Sequence, residues 1–188
     1  MNMNIYYKGE RNVLRMELIK FFVLFGIFVI CVVIGMLIAR KYTLRLNELK
    51  EMKKGLQMLE SKLKFTYEKL PIVFEEIGHA IDEPARETFC IASENMQYTS
   101  AENSWNEALT QMENEGRTNL KHEDLETLKT LGKMLGKTNM EGQVNQIKLV
   151  DTFLDTQIME ADTEKRKNDK MYKSLGIVAG LAIVILLV

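Results

Sequence analysis

The stretch Met171-Tyr-Lys-Ser-Leu-Gly-Ile-Val-Ala-Gly-Leu-Ala-Ile-Val-Ile-Leu-Leu-Val188 decides the fold, because it carries no charge from Ser174 onward. As an α-helix, these 15 residues reach roughly 22 Å, against a hydrocarbon core of roughly 30 Å. The segment would therefore span a bilayer with local thinning, or with its terminal carboxylate drawn to the far interface. Either arrangement anchors the chain in a membrane.

The flanks and the glycines of this run carry further information. Five basic residues precede the run, and clusters of this kind are retained on the cytoplasmic side of membrane helices: Lys165, Arg166, Lys167, Lys170 and Lys173. Gly176 and Gly180 form a small-xxx-small pair, which allows another helix to approach closely. Glycine is also simply common in membrane helices, and the sequence leaves open whether this pair packs within one chain or between chains.

A second apolar run lies near the start of the chain. Residues 21–39 contain no charge, and these 19 residues are long enough for a transmembrane helix. A signal peptide would have a shorter apolar core and a small-residue cleavage site, whereas Arg40 and Lys41 follow directly. We therefore predict a transmembrane helix over residues 19–39, preceded by a polar extension over residues 1–18.

The basic residues around both runs predict the same orientation. Six follow the first run closely and four precede it, and the second run has basic residues on its near side only. This pattern places residues 40–173 in the cytoplasm and both termini on the far side of the membrane. Either Met1 or Met16 is the start, and Met16 would remove three of the opposing charges.

Composition restricts the class of protein. The chain has 188 residues, two prolines and a net charge of −1, with positive charge beside the apolar runs and an acidic middle. This balance favours a membrane surface over nucleic acid as a partner. Cys31 and Cys90 form neither a disulfide framework nor a metal-binding spacing, which indicates a reducing compartment.

Between the apolar runs, the pattern predicts helices throughout. Apolar residues recur at intervals of three and four from Leu49 to Leu70, including Tyr67, and predict a basic stalk over residues 40–70. Pro71 then ends the stalk or opens the next helix. Four shorter apolar stripes follow; we predict a capping box of Thr99 with Glu102 before the third and a left-handed Gly136 after the fourth.

The final helix is predicted to run without a break from Met140 to Val188, beginning at a capping box that includes Thr138. The predicted fold is therefore all-α. A compact cytoplasmic bundle over residues 71–173 is carried by two long helices, which continue into transmembrane segments at both ends, the second over residues 174–188.

A search for reactive groups gives a mostly negative answer. His79 and His122 have no companions at metal-ligand spacing, and Cys90 has no base nearby in sequence. We therefore predict no enzyme activity, no cofactor and no metal site. Trp105 lies on an apolar stripe, which favours a core anchor over a ligand-stacking platform. Four further structural positions belong to one helix end, where Gly132 allows a close approach or a kink: Leu131, Gly132, Leu135 and Gly136.

Acidic residues in the middle of the chain are candidates for docking a basic partner, although a solvated surface would also explain them. The candidates fall into two groups in sequence: Glu75, Glu76, Asp82 and Glu83, and Glu123, Asp124 and Glu126.

Three stretches resemble the stage III sporulation protein AB family. They are Trp105-Asn-Glu-Ala-Leu109, the block from Glu123 to Lys137 followed by Gln143, Ile147 and Leu149, and the stretch from Lys170 to Gly180. The resemblance covers residues 19–188. Its departures are the first 18 residues and the apolar Leu70-Pro-Ile-Val73, where the family has a Pro-Glu-Ala stretch.

The resemblance implies a mother-cell membrane protein of endospore-forming bacteria, acting with other stage III membrane proteins at the channel between mother cell and forespore. It also implies similarity to the cytoplasmic domain of the type II secretion platform protein F. The implied partner is a secretion-type ATPase like stage III sporulation protein AA. We therefore predict a non-enzymatic platform that docks this ATPase. The alternative is a membrane-tethered sensor that binds a small molecule in an apolar pocket near Trp105 and Cys90.

Overall fold

The computed structural model describes residues 3–66, 68–137 and 139–187, with side chains from Leu18 onward, and every regular element in these ranges is an α-helix. The helices are α1 (Met3–Phe65), α2 (Leu70–Ala80), α3 (Ala85–Asn95), α4 (Ala101–Asn114), α5 (His122–Gly132) and α6 (Met140–Leu187). The prediction of an all-α fold with two long apolar helices is confirmed. Tyr67, Thr138 and Val188 lie outside the described residues, and residues 3–18 of the predicted polar extension form the first part of α1.

One compact unit contains the residues up to Arg40 and those from Arg166 onward, where α1 and α6 lie side by side. A Cβ atom on Gly35 would lie 2.6 Å from the carbonyl oxygen of Tyr172 and 3.2 Å from Cα of Gly176. A Cβ atom on Gly180 would lie 2.8 Å from the ring of Phe28. Glycine therefore lets the two backbones touch, and this contact is made within one chain.

The outer surface of this unit is apolar. Phe22 is 69% exposed and Leu186 is 84% exposed, and most of their apolar neighbours are also open. The two helices reach mean hydropathies of 3.2 and 1.8 in their most apolar windows, and both are long enough to cross a membrane. A continuous apolar surface of this kind is unfavourable in water and stable in lipid, where acyl chains surround the exposed side chains.

The second compact unit, Lys41–Lys165, has its own core. The periodic apolar residues of α1, from Leu46 to Leu63, are buried along its length. Phe74, Phe89 and Trp105 pack around one another with ring centroids 5.2 to 5.7 Å apart. Gly55 of α1 fits against this cluster, because a Cβ there would lie 2.8 Å from the Phe89 ring. The apolar stripe that spacing predicts on α1 therefore lies in the centre of the core.

Contact between α4 and α5 depends on Trp105 and Gly132. The indole nitrogen of Trp105 donates a 2.8 Å hydrogen bond to the carbonyl oxygen of Leu128, so this fully buried ring leaves no polar atom unpaired. A Cβ on Gly132 would lie 2.9 Å from Oδ1 of Asn106 and 3.3 Å from the carbonyl oxygen of Glu102. Leu131 and Leu135 are buried beside this contact. Gly132 thus permits a close helix approach.

Two helix ends differ from prediction. Ser100, not Thr99, caps α4, because its hydroxyl oxygen accepts the Asn103 N–H at 3.2 Å. The last residue of α5 is Gly132, after which the chain tightens into turns whose bonds span three residues. Gly136 has the predicted positive φ of 69° but lies beyond the helix.

Candidate docking site

Four of the acidic candidates lie on α2 and on the turn that follows it. Glu75 and Glu76 are exposed on α2, and Glu76 forms an ion pair with Lys62 of α1. Asp82 and Glu83 are exposed in the turn between α2 and α3. The backbone N–H of Asp82 donates to Oε2 of Glu51 at 3.1 Å, which fixes this turn against α1.

Two further candidates are exposed on α5. Glu126 accepts a 3.0 Å hydrogen bond from Lys129, and this bond lowers the pKa of the Glu126 carboxyl. Glu123 is exposed on the first turn of the helix, where a carboxylate also interacts favourably with the helix dipole. Since Lys129 partly neutralises Glu126, the α5 group offers less free negative charge than its sequence indicates.

Asp124 is the exception among the seven, and its assignment to the docking surface is wrong. Its side chain is fully buried, and both carboxylate oxygens accept hydrogen bonds from the guanidinium of Arg45, each at 2.8 Å. Oδ2 also accepts the backbone N–H of Lys121 at 2.8 Å, which caps the start of α5. Asp124 therefore holds the interior together and is not available to a partner.

Arg45 extends this contact to a third helix. Its Nη1 donates to Oε2 of Glu164 on α6 at 2.8 Å, and Lys121 donates to Oε1 of the same carboxylate at 2.6 Å. The hydrogen bonds that Arg45 donates to Asp124 and, to a smaller extent, to Glu164 raise the pKa of its guanidinium. A buried charge is tolerated when its partners satisfy it fully, and Arg45 meets this condition with bonds from all three of its nitrogens. We call Arg45, Asp124 and Glu164 the ion node.

Glu48 lies one turn of α1 beyond Arg45 and holds the α4–α5 loop. Its carboxylate accepts hydrogen bonds from the Thr118 hydroxyl, from the Asn119 backbone at 2.7 Å and from the Asn119 side chain at 3.1 Å. Glu48 is only 1% exposed, and burial raises the pKa of its carboxyl above the ordinary value despite these bonds. Glu48 therefore fastens the loop between α4 and α5 to α1.

The sequence analysis did not identify Arg45, Glu48 or Glu164 as structural residues. The spacing of a charged residue from the buried apolar residues of its own helix nevertheless carries a signal. Asp124 stands four and seven residues before the buried Leu128 and Leu131, and Arg45 stands four and seven before the buried Leu49 and Met52. Residues at those offsets share one helix face. A charge in phase with an apolar stripe predicts a buried charge that needs an opposite partner.

Two remaining polar candidates are His122 and Cys90. His122 is exposed, with Nδ1 3.1 Å from a Glu113 oxygen. Burial raises the pKa of the Cys90 thiol; Arg86 opposes this effect, and Glu75, Glu83 and Glu94 add to it. Within the described ranges, no three His, Cys, Asp or Glu residues are placed to share a metal ion.

Comparison with known proteins gives consistent matches. The family model of stage III sporulation protein AB matches residues 20–188. Stage III sporulation protein AB of Bacillus subtilis (strain 168) is 30% identical over 155 residues, which is 81% of this chain and 90% of that protein. A solved structure of a stage III sporulation protein AB covers 66% of this chain and 98% of its own, with a TM-score of 0.61 and 23% identity, and it shows the same fold. The chain belongs to the stage III sporulation protein AB family.

Proposed function

We propose that this sporulation protein is a membrane-anchored platform. Its helical unit, Lys41–Lys165, receives a secretion-type ATPase like stage III sporulation protein AA on the cytoplasmic face. The apolar parts of α1 and α6 hold the platform beside the other stage III membrane proteins of the channel between mother cell and forespore. The chain works as a mechanical and docking element without catalysis of its own.

The ion node is the observation that carries this proposal. Arg45 on α1 bonds both to Asp124 on α5 and to Glu164 on α6, so the two helices that carry the apolar runs share one contact with a surface helix. The buried pair of Arg45 and Asp124 in this node resists displacement, because moving one member leaves the other charge unpaired in the interior. A partner that displaces α5 would therefore transmit that displacement to α1 and α6 together.

The orientation follows from the basic residues beside the apolar runs. Arg40 and Lys41 follow the first run, and Lys167, Lys170 and Lys173 precede the second. Under the positive-inside rule, both groups favour the cytoplasmic side, with both termini on the far side of the mother-cell membrane. This arrangement presents the exposed carboxylates of α2 and α5 to the cytoplasm, where they attract a basic docking surface.

Capture of the ATPase tests the proposal directly. The full chain, purified in a neutral detergent and immobilised, should retain a stage III sporulation protein AA-like ATPase at low salt. The double variant Glu75→Lys/Glu123→Lys should weaken capture by about tenfold, because like charges then face the basic partner. The control Glu141→Lys/Glu160→Lys changes two exposed carboxylates of α6 by the same charge and should capture normally.

Absence of capture by the unmodified, correctly inserted chain would remove the docking role. Equal losses in both variants would instead indicate a general response to net charge, and the α2 and α5 surfaces would lose their special role.

The alternative, a small-molecule sensor, lacks a supporting observation. It requires an apolar pocket beside Trp105 and Cys90, but Trp105 is enclosed by Phe74 and Phe89. The pocket between α3 and α4 is lined by polar residues and includes neither Trp105 nor Cys90. We therefore retain the platform as the proposed function.

A further inference from the structure

Exposed cations gather in the first unit at the point where its two helices become apolar. Arg40 directly follows the apolar run of α1, and Lys173 directly precedes that of α6. The five exposed basic residues here, which we call the basic collar, are Arg40, Arg166, Lys167, Lys170 and Lys173. With the carboxylate of Asp169 among them, they leave a formal charge of +4 over Arg40 and residues 166–173.

The packing of α1 against α6 brings cations of both helices to the same level. Glycine contacts show that the two helices run antiparallel here, with Gly35 against Gly176. Arg40 is five residues after Gly35, and Lys170 is six residues before Gly176. At a rise of about 1.5 Å per residue, both lie roughly 7–9 Å from the glycine contact in the same direction. The basic collar is therefore shared by the two helices.

Like charges at one level repel one another across this close helix contact. Lys173 pairs with Asp169 at 2.8 Å. Among the described residues, Arg40, Lys167 and Lys170 have no ion-pair partner. The approach of α1 to α6 therefore leaves positive charge that an anion would neutralise.

Exposed apolar side chains lie next to the basic collar on its membrane side. Met36 is one turn before Arg40 on α1, and Ile177 is one turn after Lys173 on α6. Their exposed fractions are 46% and 45%. Residues four apart in a helix share a face, so each of these cations neighbours an apolar side chain on the outer surface. This order suits a ligand with an anionic head and an apolar tail.

A phospholipid has this chemistry and is present at this level of a bilayer. The basic collar borders both apolar runs, where the hydrocarbon core meets the headgroups. A guanidinium binds a phosphate through two parallel hydrogen bonds, and lysine adds a point charge. Clusters of about 4–8 basic residues beside a transmembrane helix attract anionic lipids in particular.

We infer that the basic collar binds the headgroup of an anionic phospholipid, whose acyl chains lie against Met36 and Ile177. The bound phosphate neutralises cations of both helices and so favours the contact between α1 and α6. The inference rests on the membrane anchoring in the proposed function, and it is independent of ATPase docking.

Native mass spectrometry of the full chain in a neutral detergent tests this binding. The probes are phosphatidylglycerol and phosphatidylcholine with identical acyl chains, titrated separately. Phosphatidylglycerol should bind about tenfold more tightly, because its headgroup carries a net negative charge. Arg40→Gln/Lys170→Gln should reduce this preference to about twofold or less, because one cation is lost from each helix. The purified chain is measured in micelles, so its orientation of insertion in cells does not affect the result.

Two control variants separate the basic collar from net charge and from altered structure. Lys50→Gln/Lys148→Gln removes the same charge from exposed positions of the helical unit and should keep the preference. Arg40→Lys/Lys170→Arg keeps both charges and should keep the preference within about threefold. If either control reduced the preference as far as Arg40→Gln/Lys170→Gln does, the inference would be overturned.

The remaining outcomes identify the ligand and separate this inference from the anchoring. sn-Glycerol 3-phosphate has the headgroup phosphate without acyl chains and should not displace phosphatidylglycerol at the same concentration. Displacement would assign the site to free phosphate and would overturn the lipid inference. Equal affinity for the two lipids would also overturn it and would leave the anchoring intact, whereas absence of binding by either lipid would contradict the anchoring itself.

Discussion

At the scale of single residues, Arg45 is the side chain on which the helical unit depends most. It is 5% exposed, and its charge is balanced by two bonds to Asp124 and one to Glu164. Desolvation of such a charge costs several kcal/mol unless its partners compensate. Any change that removes one partner leaves this desolvation free energy uncompensated and therefore destabilises the folded state.

Asp124→Asn should lower the free energy of unfolding by ~3 kcal/mol, near the low end for a broken buried pair, because Glu164 remains with Arg45. Denaturant unfolding of the full chain in detergent, followed through the fluorescence of Trp105, measures the loss. Trp105 is the single tryptophan and lies in the core of the unit. Glu123→Gln, at the neighbouring exposed position, should stay within about 0.5 kcal/mol. Equal effects in the two variants would contradict the role of the ion node.

Glu48 should make stability depend on pH. Burial raises the pKa of its carboxyl in the folded state above the reference value of 4.5. The folded state therefore binds this proton more tightly than the unfolded state does. The associated stability is fully present below the unfolded pKa and is lost as pH rises through the folded pKa.

Glu48→Gln removes this titration and keeps one oxygen to accept from Asn119, while its amide nitrogen faces the Thr118 hydroxyl, which can accept a hydrogen bond. The difference in unfolding free energy between the native chain and the variant should therefore shift in favour of the variant as pH rises from about 4.5 towards neutrality. Unfolding curves of both proteins, measured at several pH values, give this difference. A difference that shifts in the opposite direction would mean that hydrogen bonding outweighs burial.

The sequence predicted side-chain roles well where one helix decides them and poorly where two distant segments do. Trp105 and Leu131 lie on apolar stripes and are buried. Asp124 stands in an acidic stretch, but its partner Arg45 is 79 residues away. No local pattern pairs them, although the phase of each with the apolar residues of its own helix indicates burial.

At the scale of helices, the backbones of α1 and α6 approach each other closely at Gly35 and Gly176. A Cβ on Gly176 would lie 3.0 Å from the carbonyl oxygen of Cys31. In lipid, helix association depends on this kind of close packing, because the surrounding acyl chains are as apolar as the helices. By contrast, a Cβ on Gly26 would meet no atom within 4 Å.

A disulfide tests whether the crossing forms within one chain. In a Cys90→Ser background, Gly180→Cys would place its Cβ 3.3 Å from Cβ of Cys31, close to the disulfide separation of about 3.5–4.5 Å. A small movement of the Phe28 ring, 2.8 Å away, makes room. Oxidation in membranes should therefore give a monomer with altered mobility on a gel.

Leu175→Cys, at an exposed position of the same helix, is the control and should stay reduced. If Gly180→Cys gave only cross-linked dimers, the two glycines would pack between chains.

Helix boundaries were predicted less accurately than helices. Thr99 and Ser100 are both capable caps, and the choice depends on which hydroxyl reaches the N–H of Asn103, a matter of geometry that spacing does not encode. Helix α5 also ends at Gly132, before the last residue of its predicted apolar stripe. Leu135 remains buried from a turn, so burial continues after the helix has ended.

At the scale of the whole molecule, the fold is a helical unit whose two long helices carry apolar segments outside it. The basic residues that flank both segments predict the orientation of the chain in a membrane, and that orientation stays a prediction. The exposed carboxylates of α2 and α5 are the surface that we propose for a basic partner. This role requires the helical unit to lie in the cytoplasm.

The side of the membrane on which the helical unit lies is the most direct test. Tyr98 is 87% exposed in the turn after α3, so Tyr98→Cys in a Cys31→Ser/Cys90→Ser background gives one accessible thiol in that unit. A membrane-impermeant maleimide should label it in inverted vesicles and leave it unlabelled in intact protoplasts. Labelling in intact protoplasts, or recovery of the chain in the soluble fraction, would contradict a cytoplasmic platform anchored at both ends.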